Sequence, residues 1–208
     1  MQARYTPIPK WCPCSAHPAQ PFFIYLCFPA PHAQLNVPTS AYPAGGFAFS
    51  WGVEGLLADG FVTGRDSLDE LVSDHLTFRW ASMDRVLLAR AFAASDLDAV
   101  AAIDRLAEAA TPSAQMRDGS HRAGKALLGI AVRIGGPLST GYRSLVSEDA
   151  RLGHLPVIQA LAFRDAGLTS GAAELLSGWT LVTGLVSAAV RLGSIGHVEA
   201  QQSLAAAR

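Results

Sequence analysis

From Leu35 onward the apolar positions recur every three or four residues, the spacing of one helix face, and nowhere alternate in the two-residue rhythm of a half-buried strand. Gly45-Gly46 opens the first expected helix, which runs to Asp59-Gly60 and puts Phe47, Trp51, Gly52 and Gly55 on one face. Ser67-Leu68-Asp69-Glu70 has capping-box spacing and begins a long helix to Ala93, with Leu68, Leu71, Val72, His75, Leu76, Arg79, Trp80 and Met83 continuing it. Ser95 and Asp98 start a shorter helix that ends before Thr111-Pro112. Ser113 caps the next one through about Ile134, where Gly135-Gly136-Pro137 stops it. After a loop, Leu155-Pro156 begins a helix that halts at Gly167. Ser170 opens a strongly apolar one reaching Leu192-Gly193, and Ser194 restarts a last one running to Arg208. No internal repeat interrupts this order. The pattern predicts an all-α fold, a single-domain bundle of seven or eight helices spanning residues 35–208.

Residues 1–34 read differently, being proline-rich and aperiodic, and are expected to be a disordered or non-native N-terminal extension. The apolar run Phe22–Phe28 is about a third of a spanning length, and prolines break its lead-in. The stretch Leu175–Val190 carries no charge, but Glu174 and Arg191 close it short of the roughly twenty apolar residues a membrane helix uses. Gly178, Gly184 and the small Ser and Ala residues in it allow close backbone approach. A buried central helix or a dimer seam is therefore expected, with no membrane partner.

Composition sharpens this in one direction. Half the residues are apolar, 16% are charged and the mean hydropathy is +0.25, which implies burial beyond that of an isolated domain. A formal net charge of -1 and the lack of a Lys/Arg run exclude nucleic acid as partner. Cys12, Cys14 and Cys27 lie together at one end, an odd set that makes no disulfide framework and fits a cytoplasmic location. Cys12-Pro13-Cys14 with His17 could hold a soft metal, but paired zinc-type spacing is missing and an irregular terminus is the simpler reading. There is no phosphate-binding glycine loop with Lys-Ser/Thr, no His-Glu-x-x-His and no Gly-x-Ser-x-Gly. The histidines at 17, 32, 75, 121, 154 and 197 stand singly, so each reads as structural, with no metal ligand assigned. Acidic pairs such as Asp69/Glu70 read as helix caps. No catalytic residue and no cofactor are expected, which leaves a helical interaction protein.

Three ordered motifs narrow that description. Residues 35–61 contain Leu35, Pro43, Gly45, Gly46, Phe47, Ser50, Gly52, Val53 and Glu54 in a Pro-x-Gly-Gly-Phe-x-x-Ser-x-Gly-Val-Glu run. Arg117 is followed by Ser120 and Gly124, and Gly153-His154-Leu155-Pro156-Val157 precedes an Ala-rich helix. Together they resemble the urease accessory protein F (UreF) family over about residues 35–208. Each also has a purely structural reading: Gly45-Gly46 as a tight turn, Arg117 as a solvated helix residue, His154 as a cap on the helix that Pro156 starts.

The resemblance implies an all-helical homodimer, not an enzyme, that bridges accessory protein H (also called D) and the GTPase accessory protein G. It further implies help in coupling GTP hydrolysis to nickel insertion into the urease apoprotein. Pro43, Gly45, Gly46, Phe47, Ser50, Gly52, Glu54, Arg117, Ser120, Gly124, His154 and Pro156 are the positions it carries over as structural or partner-facing. Residues 1–34 have no counterpart in the family, and its C-terminal tail is expected to be lacking here, which bears on the contact with accessory protein H. The other readings are a membrane-associated or other helical interaction protein, resting on Leu175–Val190 and Phe22–Phe28, and an unrelated helical enzyme, which would need a cluster of converging titratable groups.

Overall fold

The structure, a computed structural model, describes residues 51–207. Pro43, Gly45, Gly46, Phe47 and Ser50, together with the extension 1–34, lie outside the described residues. Among those described there is no strand, and the all-α expectation holds.

Helix α1 is Val53–Ala58. A continuous helical rod follows, made of α2 (Arg65–Asp74), a π-helical segment (His75–Asp84) and α3 (Arg85–Ala93). Then come α4 (Leu97–Ala110), α5 (Ala114–Arg133), α6 (Pro137–Glu148), α7 (Leu155–Asp165), α8 (Ser170–Arg191) and α9 (His197–Ala206). Local chemistry explains most of the boundaries. Asp96, Ser113 and Thr169 each accept a hydrogen bond from the backbone N–H three residues on, at the starts of α4, α5 and α8. Gly167 and Gly193 end α7 and α8 in the left-handed region, at φ 76° and 74°.

Four expectations need correction. The first helix does not run through Trp51 and Gly52, because both have positive φ, 53° and 90°, and the helix starts only at Val53. Trp51, Gly52 and Gly55 therefore do not share one helix face, and Phe47 of that expected stripe lies outside the described residues. Ser67 is not an N-cap but the third residue of α2, and its hydroxyl accepts from the N–H groups of Thr63 and Gly64 at 2.9 and 3.3 Å. The stretch after Gly136 is not a loop, since Pro137 is the first residue of α6, where a missing N–H costs nothing. The long second helix is not α-helical throughout but passes through the π segment, which offers Trp80 to α8.

Two apolar cores hold the chain together. The first joins Leu88 and Ala91 of α3, Val100 of α4, Leu127 and Leu128 of α5, Tyr142 of α6 and Val157, Ile158 and Leu161 of α7. The second joins Val53 of α1, Leu68 and Val72 of α2, and Leu181, Val182, Leu185 and Val186 of α8, with Ala200 of α9. The rod 65–93 and α8 take part in both. Helix α8 is long and apolar enough to cross a membrane by length and composition, but Leu181, Val182, Leu185, Val186, Ala188 and Ala189 are all buried within this fold. Its small residues serve the packing. Gly178 lies under the Trp80 ring, whose Nε1 donates to Ser177 Oγ, and Ser177 in turn donates to buried Gln159.

Candidate functional site

Two of the three sequence motifs meet where α5 crosses the turn into α7. Arg117, Ser120, His121 and Gly124 fall on one stripe of α5 by their spacing of three and four residues. Gly124 is there because backbone passes over it: a Cβ would overlap the Gly153 carbonyl oxygen and sit 3.0 Å from His154 C and Leu155 N. Ser120 Oγ accepts from the Leu155 N–H at 3.0 Å. Gly153 itself has φ 104°, a conformation other residues rarely take, and Pro156 then occupies the first turn of α7. His154 is the N-cap residue of α7 by position but makes no side-chain cap; its imidazole turns inward and is buried.

Beneath the turn lies Asp104 of α4, fully buried. Its carboxylate accepts from Gly153 N at 2.6 Å, His154 N at 3.1 Å and the Tyr142 hydroxyl at 2.8 Å. Burial pushes the Asp104 carboxyl up from its ordinary range, and these three donors pull against that rise. The Tyr142 phenol is raised by burial and then by the Asp104 charge, so it stays protonated and donates.

One helical turn along α4, Glu108 gathers three partners. Its Oε2 lies 3.0 Å from His121 Nε2 and 3.0 Å from His154 Nε2, and its Oε1 lies 3.2 Å from Arg117 Nε. The imidazoles stack tilted, centroids 4.0 Å apart. Arg117 is fixed in turn by donations from Nη1 to the carbonyls of Thr111 at 2.7 Å and Pro112 at 3.0 Å. It is therefore an anchored residue and not a solvated one. Burial foremost, then the His121 ring, push the His154 imidazole down to about 4 against the pull of Glu108, which leaves it neutral at physiological pH. Partial burial pushes the Glu108 carboxyl up, but the donations from His121 and His154 prevail and leave it below its ordinary value. His121 also lines an open depression with Asp118, Arg122, Lys125 and Ala150.

Of the motif positions, Arg117, Ser120, Gly124, His154 and Pro156 thus converge on one junction. Gly52 and Glu54 stand apart at α1, Gly52 as a left-handed turn and Glu54 exposed. Asp104, Glu108, His121 and Tyr142 escape the sequence reading. Two histidines on different elements leave no spacing signature, and the only hint of Asp104 and Glu108 is their separation by one helical turn on α4.

The UreF family model matches residues 62–208, which contain the whole junction. The urease accessory protein UreF of Actinobacillus pleuropneumoniae is 30% identical over 180 residues, 85% of this chain and 79% of that protein. The protein of the same name from Ruegeria sp. is 36% identical over 164 residues, 79% of this chain and 72% of that protein. That from Trichodesmium erythraeum is 30% identical over 177 residues, 83% of this chain and 76% of that protein.

Proposed function

Because this chain belongs to the UreF family, we propose that it is a urease accessory protein acting as a scaffold, holding the GTPase accessory protein G and accessory protein H near the urease apoprotein while nickel is inserted. The observation that carries this is the family match over residues 62–208, which runs through the junction built by Arg117, Ser120, Gly124 and His154. In this reading the chain works in the cytoplasm as a homodimer, nickel is the cargo of the assembly, and the chain does no covalent chemistry. Exposed apolar side chains at Phe61, Phe78, Leu175 and Val198 support a protein that buries surface against partners.

The test is restoration of nickel-dependent urease activity in a strain lacking its own gene for this function, with co-purification of the GTPase accessory protein. Expression of this chain is expected to restore activity and to retain the GTPase. Glu54→Ala, at an exposed position of α1, is expected to keep wild-type helicity and melting while lowering activation. Full activity from that folded variant would make the α1 motif structural only. Absence of both activation and GTPase retention with the unaltered chain would overturn the scaffold reading.

A further inference from the structure

We propose that Glu108, His121 and His154 form a binding site for a single divalent ion of the zinc, nickel or cobalt type, held through Glu108 Oε2 and the Nε2 atoms of the two histidines. The proposal rests on side-chain geometry alone and does not depend on the scaffold reading.

The three donor atoms lie within 4.8 Å of one another, and each imidazole nitrogen is 3.0 Å from the shared carboxylate oxygen. Tetrahedral metal bonds of about 2.1 Å set ligand atoms about 3.4 Å apart, so small side-chain rotations convert the hydrogen-bonded triad into a coordinated one. Two imidazoles and one carboxylate suit borderline transition ions, not magnesium or calcium, which prefer all-oxygen shells.

The ligands are also held from behind. Arg117 fixes the other carboxylate oxygen of Glu108 at 3.2 Å, the kind of outer contact that orients metal ligands. Asp104 and Ser120 clamp the backbone of His154 and Leu155, so the three ligands sit on preformed elements instead of a loose loop. His121 Nε2 donates to Glu108 in the metal-free state, and the buried Nδ1 has no hydrogen-bond partner that would keep a proton off it, so the proton can move to Nδ1 when Nε2 binds the ion.

Glu108 and His121 remain partly exposed, and His121 borders the depression lined by Asp118, Arg122 and Lys125. Three protein ligands with one side open leave a position for water or an incoming donor, the arrangement of an exchangeable site and not of a closed structural one. The adjacent Arg117 guanidinium, 3.2 Å from the other Glu108 oxygen, repels a bound cation and so weakens the site.

The experiment uses the full chain with Cys12, Cys14 and Cys27 changed to Ser, so that thiolates do not compete. After chelator treatment, zinc is titrated calorimetrically, cobalt is added for its visible spectrum, and histidine ring resonances are followed by NMR. One equivalent of zinc, a raised melting temperature, cobalt bands of a nitrogen/oxygen site and shifts confined to His121 and His154 are expected. His121→Gln and Glu108→Gln should each weaken zinc binding at least tenfold while helicity persists. No zinc equivalent, or binding and a cobalt spectrum unchanged in folded His121→Gln, would overturn the site. If the variants do not fold, unmoved His121 and His154 resonances in the parent chain on zinc addition overturn it equally. Urease activation is not read in this experiment, so its outcome is separate from that of the scaffold proposal.

Discussion

A methyl group on Gly124 has no room, because the Gly153 carbonyl oxygen occupies its place and backbone cannot rotate aside as a side chain would. Gly124→Ala is therefore expected to cost about 1–3 kcal/mol, the usual range for overpacking. Gly129, in the same helix, meets nothing within 4 Å, so Gly129→Ala should gain up to about 1 kcal/mol by helix propensity. Denaturant melts of the two variants test the contrast, and equal effects would mean that α5 does not press on the turn. Asp104 poses the complementary case. Asp104→Ala strands the N–H groups of Gly153 and His154 and the Tyr142 hydroxyl in a buried place, and a loss of roughly 3 kcal/mol or more is expected. A loss under about 1 kcal/mol in the same melts would show the turn held by packing alone.

Among the elements, α8 is the one whose environment decides its meaning. Its uncharged stretch, closed by Glu174 and Arg191, reads as a buried central helix or a dimer seam, although length and composition alone would also let the whole helix cross a membrane. The structure buries Val186 to 2% exposure against α1 and α2, with Val53 and Leu68 in the same core. Val186→Asp would bury an unpaired carboxylate, and loss of helical signal or precipitation of the variant is expected, checked by circular dichroism and gel filtration. Unchanged folding and size would require Val186 to be exposed. The π segment has a related logic: it lies where Trp80 reaches Gly178 and Ser177, and an indole settles there because Gly178 has no side chain in its way.

For the molecule as a whole, the two cores are tied by helices that neither can give up. The rod 65–93 runs from the second core to the first, and α8 begins in the first with Ala173 and ends in the second with Ala189. Unfolding one core would break helices of the other, so a single cooperative transition is expected. Milder substitutions make this measurable: Tyr142→Phe in the first core and Val186→Ala in the second should lower the same urea midpoint, with circular dichroism and tryptophan fluorescence tracing one curve. Two separated transitions would show the cores to be independent.

The amino-acid sequence by itself determined the helical class, most helix boundaries and the family, because each rests on local information. Helix periodicity is written at intervals of three and four residues, and caps such as Ser113 act within one turn. Local signals are ambiguous at two places: Gly135-Gly136-Pro137 ends one helix and also starts the next, and Trp51-Gly52 breaks a stripe that looks continuous. Of the junction, Arg117, Ser120, Gly124, His154 and Pro156 were legible as motif positions, but not their meeting. Only the tertiary structure put His121 of α5, His154 at the start of α7 and Glu108 of α4 around one carboxylate oxygen. That proximity depends on the Gly124 crossing and the Asp104 clamp, contacts between residues tens of positions apart, and such contacts leave no period in a sequence.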